Sequence, residues 1–215
     1  MKTLFIILLC SLIIVLNSAN RNLHAQQEDT WSLKKERDGV EIFVRWREVA
    51  QDQKVRQLRA VMHHNGGSID NTIKLIKDDE AALRWVNRAV QFYSFDIRNQ
   101  HEWFTYSEIS IPWPFENKDL ITHNRLVRNE TSARIELVSR PEKVPEKQKI
   151  SRIELFNGEW LITANSKNDI KIEYLIMTEG PPLLPTWISD PLVENALIKT
   201  MLDMRAELDN ILNKK

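Results

Sequence analysis

The clearest pattern along the chain is a period of two. Val40, Ile42, Val44 and Trp46 share one side of an extended segment, with Glu41, Arg45 and Arg47 opposite beside Phe43. Ile170, Ile172, Tyr174 and Ile176 alternate in the same way against Lys171 and Glu173. Each segment predicts a strand with one buried and one wet face. Further extended runs cover residues 31–37, 54–62, 101–111, 119–128, 132–140, 150–156 and 160–165, so about nine strands are expected. Asp38-Gly39 and Asn157-Gly158 are strong turn formers and predict two tight hairpins, one closing 31–37 on 40–47 and one closing 150–156 on 160–165. On this reading all five glycines mark turns.

A helical period shows in two places. Gly66-Gly67-Ser68 leads into Ile69, Ile73 and Ile76, and Asp78-Asp79 opens a second short helix carrying Leu83, Trp85 and Val86. Near the C-terminus, Asp190 and Pro191 have the character of an N-cap and a first-turn residue. Val193, Leu197, Met201, Met204, Leu208 and Ile211 then recur as one apolar stripe, and Lys214 and Lys215 suit a helix C-terminus. The expected order is three strands, two short helices, about six strands and one long amphipathic helix. That order predicts an α+β helix-grip fold, a curved antiparallel sheet wrapped around the long C-terminal helix. No repeat, low-complexity tract or Gly/Ser linker divides the chain, so one domain is expected.

The N-terminus changes the picture of where this domain works. Met1 and Lys2 precede an apolar run from Leu4 to Leu16, and Leu23-His24-Ala25 offers a small-residue cleavage site before Gln26. A membrane span needs about 20 apolar residues, whereas Asn17, Asn20, Arg21 and Asn22 follow this run closely. Residues 1–25 are therefore read as a secretory signal peptide and 26–215 as the mature domain, periplasmic or secreted. The one cysteine, Cys10, lies inside the leader, so the mature chain has no thiol for catalysis, disulfides or Cys-based metal sites. The whole chain balances 30 Lys+Arg against 30 Asp+Glu, and loss of Lys2 and Arg21 leaves 28 against 30. This balance makes nucleic acid an unsuitable partner.

Five segments stand out in order: Trp31-Ser-Leu-Lys-Lys-Glu-Arg-Asp-Gly-Val-Glu-Ile-Phe-Val-Arg45; Asp78 or Asp79 with Trp85; Ile111-Pro-Trp-Pro-Phe-Glu-Asn-Lys-Asp119; Arg152 through Asn157-Gly158-Glu-Trp160; and Pro185-Thr-Trp187 before the last helix. Across residues 31–212 this set is similar to START (StAR-related lipid-transfer) domains of the helix-grip superfamily. The first segment resembles the family's opening hairpin, the second its short-helix signature and the third its Pro-Trp-Pro segment, with Lys118 where an arginine is usual. The resemblance implies an internal tunnel for one lipid, sterol or other hydrophobic small molecule, no cofactor, and a binding or transfer role without chemistry.

Such a tunnel needs apolar walls and a few orienting polar groups. The expected lining is Trp85, Phe104, Trp160 and Trp187, with Leu197, Met201 and Met204 from the helix, the methionines adapting to ligand shape. The resemblance places Glu108 and Asn124 where some START domains keep a buried charged pair, the second member usually being arginine. A Glu108 buried without that cation would take up a proton or find another donor, such as Arg125 or Arg152, and Arg152 is counted with Glu108 and Asn124 among the ligand-binding residues. Trp113, between two prolines, is expected to anchor its loop, and Trp187, in the apolar stretch 180–188, to gate the tunnel or touch a membrane transiently. A monomer is expected. Two other readings compete, a cyclase- or hydrolase-type enzyme of the same superfamily and a partner-binding module with no small ligand. The histidines left after cleavage, His63, His64, His101 and His123, form neither a metal-ligand spacing nor a Ser/His/Asp arrangement, so no catalytic or metal residues are assigned.

Overall fold

The computed structural model describes residues 30–50, 53–166, 168–178 and 186–214; the leader, its cleavage site and the apolar stretch 179–185 lie outside the described residues. Ten strands form one curved sheet in the order β1-β2-β3-β10-β9-β7-β6-β5-β4. They are β1 (Ser32–Arg37), β2 (Val40–Ala50), β3 (Gln53–Asn65), β4 (Ala89–Asn99), β5 (Glu102–Ile109), β6 (Asn117–Arg128), β7 (Ser132–Ser139), β8 (Ile150–Arg152), β9 (Phe156–Ser166) and β10 (Asp169–Thr178). All neighbours along that order pair antiparallel, and the short β8 pairs parallel with β6. Helices α1 (Ile69–Ile76) and α2 (Asp79–Trp85) follow β3, and α3 (Thr186–Asn213) ends the chain. The expected helix-grip architecture is therefore present.

Local chemistry explains the connections. Asp38 and Gly39 both have positive φ, 52° and 71°, the backbone of a tight hairpin turn whose twist matches its strands. Ser68 caps α1 by accepting from the Asn71 N–H, and Asp78 caps α2 by accepting from Ala81 N–H.

Four expectations need correcting. Asn157-Gly158 is no hairpin, because β9 runs straight through it and Gly158 pairs with both Leu137 and Ile176. Glycine is required there for space, since an added Cβ would lie 2.8 Å from the Phe156 ring. A tenth strand, β4, occupies the sheet edge, where Val90 and Ile97 are exposed and blur the alternation. The long helix begins at Thr186, so Asp190 is not its cap but an ion-pair partner, and Pro191 sits inside it. There the missing N–H costs one intrahelical hydrogen bond. Val193, assigned to the apolar stripe, is 37 % exposed.

The helix is fixed to the inner face of the sheet along one strand. Arg56 of β3 pairs with Asp190 at 2.8 Å and Glu194 at 2.7 Å, and His64 Nε2, eight residues further on, meets Asp209 Oδ1 at 3.0 Å. Eight strand residues span about 27 Å, and residues 194–209 of a helix rise about 22 Å, so α3 runs alongside β3 in the same direction. Between these clamps Leu197, Ile198, Met201, Met204 and Leu208 are buried against Val40, Ile42, Met62, Ile162 and Ile172.

Candidate functional site

The register of β5 and β6 decides what the inner face presents. Thr105 faces Thr122 and Trp103 faces Asn124 on the inner side, while Phe104 opposite His123, Tyr106 opposite Ile121 and Glu108 opposite Asp119 point outward. The inner triad is polar, uncharged and buried: Asn124, Thr122 and Thr105 are 2 %, 4 % and 7 % exposed. Thr122 Oγ1 donates to Asn124 Oδ1 at 2.9 Å, and Asn124 Nδ2 donates to Thr105 Oγ1 at 2.7 Å. Beyond the triad, the next inner positions, Ser107 and Leu120, are half-buried.

The neighbouring strands show the same gradient. Trp160, Ile162, Ile170 and Ile172 are buried, whereas Leu137, Tyr174 and Ile176 on the same face keep accessible surface. Tyr174 stacks on Trp160 with centroids 3.9 Å apart, and Trp85 meets the edge of Trp160 at 5.8 Å. Surrounding protein desolvates the Tyr174 hydroxyl strongly enough to push its pKa far above the usual 10.0. Leu137, Tyr174 and Ile176 are the half-buried part of the inner face, in contrast to the fully buried residues beside them.

The sequence-assigned residues divide between the two faces. Trp85, Asn124, Trp160, Leu197, Met201 and Met204 lie on the inner side; only the backbone of Trp187, in the first turn of α3, is described. Phe104, Glu108 and Arg152 lie outside, a correction forced by register. Phe104 is buried beneath Lys143 and stacks on His123 at 4.8 Å. Glu108 accepts from Asn117 Nδ2 at 2.8 Å and lies 3.9 Å from Lys147 Nζ, so neither Arg125 nor Arg152 is its partner. Arg152 grips Asp119 with two hydrogen bonds, Nε to Oδ1 at 3.0 Å and Nη2 to Oδ2 at 2.7 Å, and donates to the Pro141, Val144 and Pro145 carbonyls. Its hydrogen bond to Asp119 raises the guanidinium pKa against the opposing effect of burial. This pair seals the 140–152 segment over the outside of the sheet. Trp113, expected as an anchor, is 92 % exposed beside cis-Pro114.

Thr105, Thr122 and Tyr174 were absent from the sequence-assigned lining. Alternation could not have assigned Thr105, because Trp103 to Tyr106 are all buried and neither face of β5 is marked by solvent. Among the described residues no group of three or more His, Cys, Asp or Glu could hold a metal ion. No described helix is long and apolar enough to cross a membrane.

No family model matches the chain. It is 24 % identical over 185 residues to an uncharacterised protein of Pseudomonas aeruginosa, covering 85 % of this chain and 88 % of the relative. Among solved structures, a STAR-related lipid transfer protein (fragment 25–204) from Xanthomonas axonopodis superposes with a TM-score of 0.73 at 21 % identity, covering 84 % of this chain and 99 % of that one. Human STARD10 superposes at 0.69 with 19 % identity, covering 86 % and 76 %. These superpositions and the ten-stranded sheet with its C-terminal helix show that the chain has the helix-grip fold of the START domains.

Proposed function

We propose that this protein is an exported, non-enzymatic binding protein that carries one lipid-like or sterol-like molecule between the sheet and α3, working as a monomer without a cofactor. The observation that carries the reading is the apolar inner face of the sheet facing α3, on which Leu137, Tyr174 and Ile176 are only half-buried. Ligand sites of this kind are concave and mostly apolar, with few polar groups, which matches aromatic and aliphatic walls interrupted by Thr105, Asn124 and Thr122. The leader-like residues 1–25 support export, and the exposed Trp113 would suit brief contact with a membrane during loading.

The test is native mass spectrometry of the mature protein purified from its own host, followed by organic extraction. A stoichiometric hydrophobic guest is expected. A clean apo protein that also ignores a panel of lipids and sterols would overturn the proposal and favour a module whose partners are proteins.

A further inference from the structure

On the face of the sheet away from α3, β3 carries an arginine that its surroundings hold but do not satisfy. Arg59 alternates with Leu58 and Ala60, which belong to the core, so its side chain leaves the sheet on the outer face, opposite Phe43 of β2. Its guanidinium lies 4.6 Å from the Trp31 ring centroid and 4.9 Å from that of Phe43. The rings stabilise the charge but offer no lone pair to the planar fork of five N–H donors. None of those donors makes a hydrogen bond among the described residues. Nε is buried without a partner, and Nη1 reaches Glu173 Oε2 only at 3.7 Å, an ion-pair contact beyond hydrogen-bonding distance.

The one carboxylate near Arg59 is also shared. Glu173 Oε1 lies 2.8 Å from Lys171 Nζ, so two cations stand against a single anion. A further guanidinium, that of Arg45, lies 4.4 Å from the same Trp31 ring, with its Nε donating to Gln57 Oε1 at 2.6 Å. Two like charges beside one indole raise the positive potential around it. The Arg59 side chain is 28 % exposed, and Trp31 and Phe43 are half-buried. The fork therefore meets solvent at a place where two rings hold it still.

We infer that Arg59, between Trp31 and Phe43 on the outer face, is a binding site for an oxyanion, a phosphate or carboxylate group. The guanidinium fork matches two oxygens of either group, and charge-assisted hydrogen bonds of this kind are about twice as strong as neutral ones. Because the rings position the guanidinium before the anion arrives, little of its freedom is left to lose on binding. The site lies across the sheet from the space proposed for the hydrophobic guest and does not depend on that reading. A soluble phosphate and the headgroup of an anionic lipid present the same chemistry to it.

The test replaces chloride by phosphate or acetate at constant ionic strength and neutral pH, and follows the Trp31 indole N–H of the mature protein by NMR. That signal is assigned by its loss in Trp31→Phe. Phosphate is expected to give a saturable shift. In Arg59→Gln its affinity should fall about tenfold or more, and in Arg59→Lys, which keeps the charge without the fork, about threefold or more. Glu173→Gln should bind about threefold tighter, because the competing carboxylate is gone. Arg134→Gln, which removes a cation of the same face that is paired with Glu159, should bind like the parent. Should Arg59→Gln not fold, Arg59→Lys and Glu173→Gln make the comparison, since their effects are opposite in sign. Vesicles separate the two sources. Retention on phosphatidylglycerol but not phosphatidylcholine vesicles, lost in Arg59→Gln, assigns a lipid headgroup; saturation by free phosphate without such retention assigns a soluble anion. The site is overturned by a shift that survives Arg59→Gln, by weaker binding in Glu173→Gln, or by the absence of both saturation and Arg59-dependent retention. Arg59 is then only a structural companion of Trp31, and the hydrophobic-guest reading stands or falls by its own experiment.

Discussion

The two faces of the β5–β6 hairpin are built from alternate residues of the same strands, yet they solve opposite problems. Outside, Asp119 and Arg152 form a doubly hydrogen-bonded pair with side chains 1 % and 5 % exposed, and three loop carbonyls take the remaining guanidinium hydrogens. Inside, Thr105, Asn124 and Thr122 are equally buried but neutral, and their side chains bond to one another. The outer face is finished by the protein's own chain, through the 140–152 segment. Charge belongs where partners are permanent, because removing one partner of a buried pair strands the other. A neutral donor left unpaired costs less.

The largest expected effect breaks the outer pair. Asp119→Ala leaves Arg152 buried without its carboxylate and should destabilise the fold by about 3–5 kcal/mol, read as the midpoint of urea unfolding. Asp119→Ala/Arg152→Met should recover part of that loss, since no charge is then stranded. Ligand binding in whatever fraction remains folded should be unchanged. On the inner face Thr105→Val orphans one Asn124 donor and should cost only about 1–2 kcal/mol. If the inner substitution proves as damaging as the outer one, the contrast collapses.

The same contrast explains what was legible in the sequence. Alternation was readable at Val40 and Ile42 of β2 and at Ile170 and Ile172 of β10, though Trp46, expected on the buried side of β2, is 44 % exposed, and the helical stripe of α3 was readable from Leu197 to Leu208. It failed on β5 because both faces are buried. With Phe104 and Tyr106 covered from outside by Lys143 and Lys147, aromatic size no longer marks the core side, and Glu108 could be turned the wrong way. The dipeptide rule succeeded at Asp38-Gly39, where both residues adopt positive φ, and failed at Asn157-Gly158, where the glycine makes room for the Phe156 ring. Turn propensity is local, whereas the need for space comes from a partner side chain. His64 was not legible as a helix clamp, since it lies beyond the expected strand 54–62 and its partner Asp209 is 145 residues away.

The smallest and sharpest comparison uses one tyrosine from each face. Tyr106 has no accessible surface, and its pKa is raised first by burial and then by the Asp119 and Glu108 carboxylates. Tyr174 on the inner face is raised by burial alone. A phenol whose folded pKa lies above its unfolded 10.0 holds its proton in the fold after the unfolded chain has lost it. The unfolded state then binds fewer protons, so stability that is complete below pH 10 is lost as pH rises above it. Tyr106→Phe and Tyr174→Phe should each flatten this alkaline decline, measured by urea unfolding on either side of pH 10. Tyrosinate absorbance should then separate the causes. Asp119→Asn should lower the pKa of Tyr106 and leave Tyr174 in place, because only the outer phenol feels that carboxylate. Loading a hydrophobic guest should do the reverse, raising Tyr174 further as the ligand removes what water reaches it, with Tyr106 unmoved. A guest that shifts Tyr106 instead would put the binding site on the wrong side of the sheet.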